Sequence, residues 1–257
     1  MQPLAIDVAT FNAPLGVVEN IKHAIALGLP ELMPAICSHD GTFVIVGSGP
    51  SLANYADQIK AERAKGRPIC AIKAAHDWLC KQGIEPDLFL SIDPRDRRNN
   101  VQEETQNTLY LLASRCNPGL FEFLKNRNVM LWHALSAPEE NNLVIDRYRI
   151  GGTTTSGLRA VNVAYFLGFR KVVMYGMDSC NAPDGITKRI DGSLTGQTTD
   201  VIVDGSMKKF VCNIAMAQQA MDFQKLWSMM PDIQVEIHGD GLLAAILEER
   251  KKRGFWT

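Results

Sequence analysis

Thr42-Phe-Val-Ile-Val-Gly47-Ser-Gly-Pro-Ser-Leu52 is the stretch that decides the fold. Its first five residues are β-formers in a continuous apolar run, which predicts a strand covered on both faces. The glycine-rich turn that follows opens a helix. Outward from this unit, short apolar runs recur between helical stretches at Ile69–Ile72, Leu88–Ile92, Leu109–Leu112, Val129–Trp132, Val172–Tyr175 and Ile233–Ile237. That rhythm predicts βαβ units and an α/β, Rossmann-like fold, with a mainly parallel sheet covered by helices on both faces. Residues 1–41 read as a helical preamble with a helix around Val17 to Leu29, and residues 42–257 as the Rossmann-like domain. The segment from Gly157 to Leu167 is apolar almost all round, so a helix buried against the sheet is expected there.

The sequence has 257 residues, of which 46% are hydrophobic, enough for one large core. Its 27 basic residues balance 28 acidic ones, so a nucleic-acid or membrane partner would have to be met by a local patch. No apolar run approaches the length of a membrane span and no signal peptide is legible, which predicts a cytoplasmic protein. Cys37, Cys70, Cys80, Cys116, Cys180 and Cys212 are scattered singly, with no C-x-x-C pair, and read as reduced thiols. Two polar stretches break the rhythm, Ser136 to Arg149 and Asn181 to Gly205. The second is rich in Gly, Thr and Asp and starts just after Asp178, which predicts a mobile or partly ordered lid that shapes an acceptor site.

Three segments carry candidate chemistry. Gly47, Ser48, Gly49, Pro50 and Ser51 lie between a strand and a helix, where free backbone N–H groups and a helix N-terminus suit a phosphate. The plainer reading is a βα turn capped by serine. The turn is neither a P-loop nor a G-x-G-x-x-G fingerprint. Asp93 ends the strand of Asp87-Leu-Phe-Leu-Ser-Ile-Asp93, at the sheet edge where α/β proteins bind ligands. It is a candidate base, metal ligand or ribose acceptor, and Arg95, Arg97 and Arg98 beside it are candidate phosphate clamps, with Asp96 among them. Gly151-Gly152-Thr153-Thr154-Thr155-Ser156-Gly157 leads into the buried helix and forms a second candidate anion site. The next strand delivers Asp178 to the same edge, where it could share a metal ion with Asp93. Of the five histidines, His133 and His238 follow strands at that edge and are candidate bases; the plainer reading of each is a packed structural residue.

Together, Val46–Leu52, Pro86–Pro94 and the run from Gly152 to Asp178 resemble the MptE-like family, named for the archaeal 6-hydroxymethylpterin diphosphokinase. Motility accessory factors and bacterial sialyltransferases are its distant kin, and the ending His238-Gly-Asp-Gly-Leu-Leu243 is similar to members carried by bacteriophages. The resemblance implies a nucleotide-dependent transferase. Its favoured form is a glycosyltransferase with a CMP- or UDP-type nucleotide-sugar donor held by Gly47 to Leu52 and Thr153 to Gly157. The alternative it implies is a diphosphokinase that uses ATP and Mg²⁺, with Asp93 and Asp178 on the metal. Sialyltransferase-like relatives keep their catalytic histidine in the loop after the Gly-x-Asp strand, and here Ser179 to Gly205 contains none. His133 or His238 would then supply the base, or the chain is a non-catalytic nucleotide-binding module. The implied acceptors are a glycan, a pterin-like alcohol or a hydroxymethylated DNA base, and a homo-oligomer is compatible with the family.

Overall fold

The computed structural model describes residues 16–153, 155–205 and 208–254. The chain enters through α1 (Val17–Ala26), whose Val17, Ile21 and Ala24 turn inward, and reaches the sheet at β1 (His39–Val46). Burial deepens along β1 until Phe43, Val44, Ile45 and Val46 are closed off on both faces, as the unbroken apolar run requires. From there α2 (Ala56–Ala64), β2 (Ile69–Ile72), α3 (Ala75–Lys81), β3 (Leu88–Ser91), β4 (Leu109–Ala113), α4 (Pro118–Phe123), β5 (Asn128–Ala134), α5 (Pro138–Asn142) and β6 (Arg149–Ile150) follow. The second half comprises α6 (Ser156–Phe166), β7 (Phe169–Tyr175), β8 (Thr199–Ile202), β9 (Lys209–Cys212), α7 (Ile214–Gln224), α8 (Leu226–Met229), β10 (Gln234–His238) and α9 (Leu242–Lys252).

Eight strands form one sheet in the order β10-β7-β1-β2-β3-β4-β5-β6, with every neighbouring pair parallel. Helices cover both faces, so the α/β, Rossmann-like reading holds. The chain steps outward from β1 to β6, and α6 then carries it back so that β7 pairs on the other flank of β1. This reversal puts the topological switch of the sheet at the C-terminal ends of β1 and β7, the place where open α/β sheets take ligands.

The return helix α6 is capped by Thr155, whose side chain accepts from Leu158 N at 3.5 Å. Every residue from Ser156 to Ala164 is buried, and the helix lies across β7, β1, β2 and β3. Leu158, Val161 and Val163 are fully shielded, each contributing about 1.5–3 kcal/mol by leaving water. The segment from Pro30 to Leu32 runs alongside β5, with Leu32 N donating to Leu131 O and Leu131 N to Pro30 O, both at 2.8 Å.

The two polar stretches are more ordered than their composition predicts. Ser136 to Arg149 holds α5, opened by Pro138, and Asn141 closes its approach by accepting from Ser136 N at 2.9 Å and donating to Ser136 O at 2.8 Å. In Asn181 to Gly205, Asp184 Oδ1 accepts from Ile186 N and Thr187 N at 2.9 and 2.8 Å, and β8 pairs antiparallel with β9. Carboxylate-to-amide bonds here replace the apolar burial that shapes other elements, and hydrophobic periodicity does not report them. Among the described residues no helix is long and apolar enough to cross a membrane.

Candidate functional site

Three segments meet at this switch. β7 ends in Tyr175, and Gly176 turns the chain with φ of 61°, a left-handed conformation that costs glycine nothing. Gly47 N donates to Tyr175 O and Gly49 N to Gly176 O, each at 2.8 Å, so the turn after β1 is stitched to the turn after β7. Met177 fills the space between the glycine-rich segments. A Cβ on Gly47 would lie 2.6 Å from its Sδ, and one on Gly157 would lie 2.5 Å from its Cε. The N-terminus of α6 therefore shares the sheet edge of Gly47 to Ser51, as the strand-end positions predict. Thr155 Oγ1 also accepts from Gln219 Nε2 at 2.9 Å, while the buried Thr153 hydroxyl has no partner among the described residues. Thr154 lies outside the described residues.

Asp178 locks this junction. Its Oδ2 accepts from Ser51 N at 2.9 Å and its Oδ1 from Ser51 Oγ at 2.6 Å. Burial pushes its carboxyl above the usual range, the Ser51 bonds oppose the shift, and the charge of Asp240 adds to it. A Cβ on Gly49 would stand 2.3 Å from Asp178 Oδ2, so only glycine lets the two turns approach this closely. Leu52 N donates to Gly49 O at 3.2 Å. The amides of Gly47, Gly49, Ser51 and Leu52, expected to be free for a phosphate, are thus already engaged. Buried backbone donors must be paired, and here Tyr175 O, Gly176 O, Asp178 Oδ2 and, within the turn, Gly49 O pair them.

Asp93 follows the C-terminal end of β3 by two residues, at the expected edge, but its carboxylate is saturated. Oδ1 accepts from Arg95 N at 3.1 Å and Arg95 Nε at 2.8 Å; Oδ2 accepts from Arg95 Nη2 at 2.8 Å and Arg97 Nε at 2.7 Å. These bonds fill the roughly four acceptor positions of a carboxylate. Burial alone would raise its pKa, yet the two guanidinium groups hold it at about 2. Two further cations stand near it that the sequence reading passed over. Lys73 follows β2 with φ of 56°, in a region costly for a side-chain-bearing residue. Burial, then the nearby charge of Arg189, lowers its ammonium to about 8, although Asp93 pulls the other way. Arg189 comes from the loop after β7, whose next residue donates Ile190 N to Ser48 O at 2.9 Å and brings that loop against the first turn. Lys73 was findable by the strand-end rule that found Asp93. Arg189 carries no sequence signal, since only the folded loop brings it here.

The two candidate histidines part company. His133 lies four strands from β1, about 19 Å at the usual strand spacing. It is buried, and desolvation lowers its pKa to about 4. Its Nε2 stands 3.3 Å from Glu31 Oε2 without hydrogen-bond alignment, and Glu31 is paired with Arg147. His238, by contrast, ends β10 beside β7. Its ring stacks on Tyr175 with centroids 4.5 Å apart and planes 5° from parallel, and its Nε2 lies 2.8 Å from Glu236 Oε1. A Cβ on the adjoining Gly239 would be 3.5 Å from Ser51 Oγ.

Asp93 and Asp178 do not fit a shared Mg²⁺. The acceptor positions of Asp93 are filled by Arg95 and Arg97, and each oxygen of Asp178 accepts one bond from Ser51. Among the described residues no three His, Cys, Asp or Glu side chains gather as metal ligands. A cavity of about 490 Å³ lies beyond the Asp93 loop, lined by Asp96, Arg97, Arg98, Asn99, Gln102 and Phe123. A larger, mostly apolar groove of about 540 Å³ lies between β8, α7 and α9.

Residues 17–184 match the family described as 6-hydroxymethylpterin diphosphokinase MptE-like. Among solved structures, the MAf glycosyltransferase from Magnetospirillum magneticum AMB-1 superposes with a TM-score of 0.65 at 15% identity. The match covers 93% of this chain and 42% of that one, so the present chain spans less than half of the larger protein. A mammalian sialyltransferase in complex with Gal-beta-1-3GalNAc-ortho-nitrophenol matches with a TM-score of 0.39 at 11% identity, over 87% of this chain and 80% of its own. No curated protein matches the sequence.

Proposed function

Since this chain belongs to the 6-hydroxymethylpterin diphosphokinase MptE-like family, we propose that it is a nucleotide-dependent transferase that takes its donor at the C-terminal ends of β1 and β7, and that the group it moves is a sugar. The observation that carries this reading is the convergence of both glycine-rich segments on Met177 at the topological switch of the sheet. The state of the carboxylates favours sugar over diphosphate transfer. A Mg²⁺ ion shared by Asp93 and Asp178 asks for open acceptor positions on both carboxylates, and the four of Asp93 are taken by Arg95 and Arg97.

In sugar transfer the acceptor hydroxyl oxygen bonds to the anomeric carbon while that carbon's bond to the donor phosphate oxygen breaks. The nucleotide leaves with the electron pair, and the acceptor proton passes to a base. In this reading His238, at the end of β10, is that base. Its Nε2–H directed at Glu236 would leave Nδ1 to accept the proton. A glycan, a pterin-like alcohol and a hydroxymethylated DNA base all present the required hydroxyl.

A thermal-shift panel of CMP, CDP, UDP, GDP and ATP, with and without Mg²⁺, tests the reading. A nucleotide at about 100 times its Kd adds about 2.7 kcal/mol, or about 5–10 °C in Tm for a domain of this size. A metal-independent shift with a cytidine or uridine nucleotide is expected. A shift with ATP alone, dependent on Mg²⁺, would replace sugar transfer by diphosphate transfer, and no shift with any nucleotide would contradict the transferase reading.

A further inference from the structure

We propose that Lys73, Arg95, Arg97 and Arg189 form a side-chain anion site, separate from the backbone amides of the glycine-rich turns, that binds a diphosphate group. The inference rests on the nucleotide reading above and names where the donor's phosphates are held. A glycine-rich turn after the first strand ordinarily cradles phosphate with its amides, but here the amides of Gly47, Gly49, Ser51 and Leu52 are bonded within the chain. With those four amides engaged, cationic side chains beside the turn can meet the charge of the ligand.

Four cations gather beside that turn, from three separate parts of the chain. Arg95 and Arg97 follow β3 and are clamped on Asp93, which fixes their planes and leaves part of each donor fork outward. Arg97 also lines the 490 Å³ cavity, which puts that member of the cluster on open space. Lys73 stands at the end of β2 and Arg189 on the loop that touches Ser48 O through Ile190 N. Both are half-buried, and among the described residues neither side chain has a hydrogen bond or ion pair of its own. Burial first, and then the like charge of Arg189, lowers the Lys73 ammonium, and the backbone holds Lys73 in a left-handed conformation as well. Four cations against Asp93 and the nearby Asp191 leave a net charge of about +2, and the unpaired donors match an anion with several oxygens. Strain and repulsion of this kind are sustained where a ligand relieves them.

The test is titration calorimetry of the full chain with inorganic pyrophosphate at low ionic strength. Wild type is compared with Lys73→Met, Arg189→Gln and a control, Arg63→Gln. Arg63 pairs with Asp87, at the opposite end of β3. Pyrophosphate is expected to bind wild type and the control alike, and to weaken at least tenfold in each of the other variants. Arg189→Gln lies on a loop, so it keeps the test valid if Lys73→Met fails to fold. No binding to wild type, or binding unchanged in Arg189→Gln, overturns the proposal. A nucleotide arm separates this from the transferase reading. A nucleotide that binds wild type and Arg189→Gln equally would sink the anion site and leave the transferase; pyrophosphate binding that depends on Arg189 with no nucleotide binding would do the reverse.

Discussion

His133 is 2% exposed, and burial lowers its pKa to about 4, against an ordinary value near 6.5. The ring is therefore neutral in the folded protein at pH 7, and neutral in the unfolded chain above about 6.5. As the pH falls through that value the unfolded chain takes a proton that the folded chain refuses. Stability is lost progressively until about pH 4, by about 3 kcal/mol in all. Asp93 follows a lower window: its folded pKa of about 2 keeps its contribution intact above about pH 4 and removes it only as the pH drops toward 2. His133→Gln should thus lose most of the decline between pH 6.5 and 4, as read by urea unfolding at pH 7, 6, 5 and 4. A variant whose stability falls as steeply as wild type would show that His133 is not the buried neutral group described. Residue chemistry was only partly legible in the sequence. The strand-end position of Asp93 was readable, but residue types alone do not show that Arg95 and Arg97 fold back to saturate it.

Elements were more legible than residues, for a physical reason. A strand covered on both faces is built from an unbroken apolar run, so β2 coincides with Ile69–Ile72 and β3, Leu88–Ser91, stops one residue short of the run Leu88–Ile92. The buried α6 likewise follows from its all-round apolarity. β8 was missed because Thr199-Asp200-Val201-Ile202 is short, largely exposed, and defined by its pairing with β9 rather than by core contacts. The loop from Asn181 to Gly205 remains the element on which a closure motion is proposed. It buries little apolar surface to offset the roughly 1–2 kcal/mol per residue that ordering a backbone costs, and it reaches the first turn through the Ile190 N–Ser48 O bond and brings Arg189 toward Asp93. Hydrogen exchange with and without the best nucleotide should show amides around Arg189 and Ile190 exchanging fast in the free protein and slowing by at least tenfold on binding. Equal protection in both states would make the loop fixed scaffold.

At the scale of the whole molecule, a single topological event organises the site. The return of the chain through α6 places β7 beside β1, and that reversal brings together Gly47 to Ser51, Thr155 to Gly157 and Asp178 from distant parts of the sequence. The near-neutral balance of 27 basic and 28 acidic residues gives the surface no general attraction for polyanions, so anion recognition falls to the local cluster beside β2 and β3. The most direct measurement is saturable photolabelling with an azido analogue of the nucleotide that stabilises the protein best, followed by peptide mapping of the attachment site. The account predicts label in peptides containing Gly47 to Leu52, Lys73 or Gly176 to Ile190, competed away by the unmodified nucleotide. Label confined to the groove lined by Met221, Trp227 and Ile246, or label that the nucleotide does not compete, would contradict it.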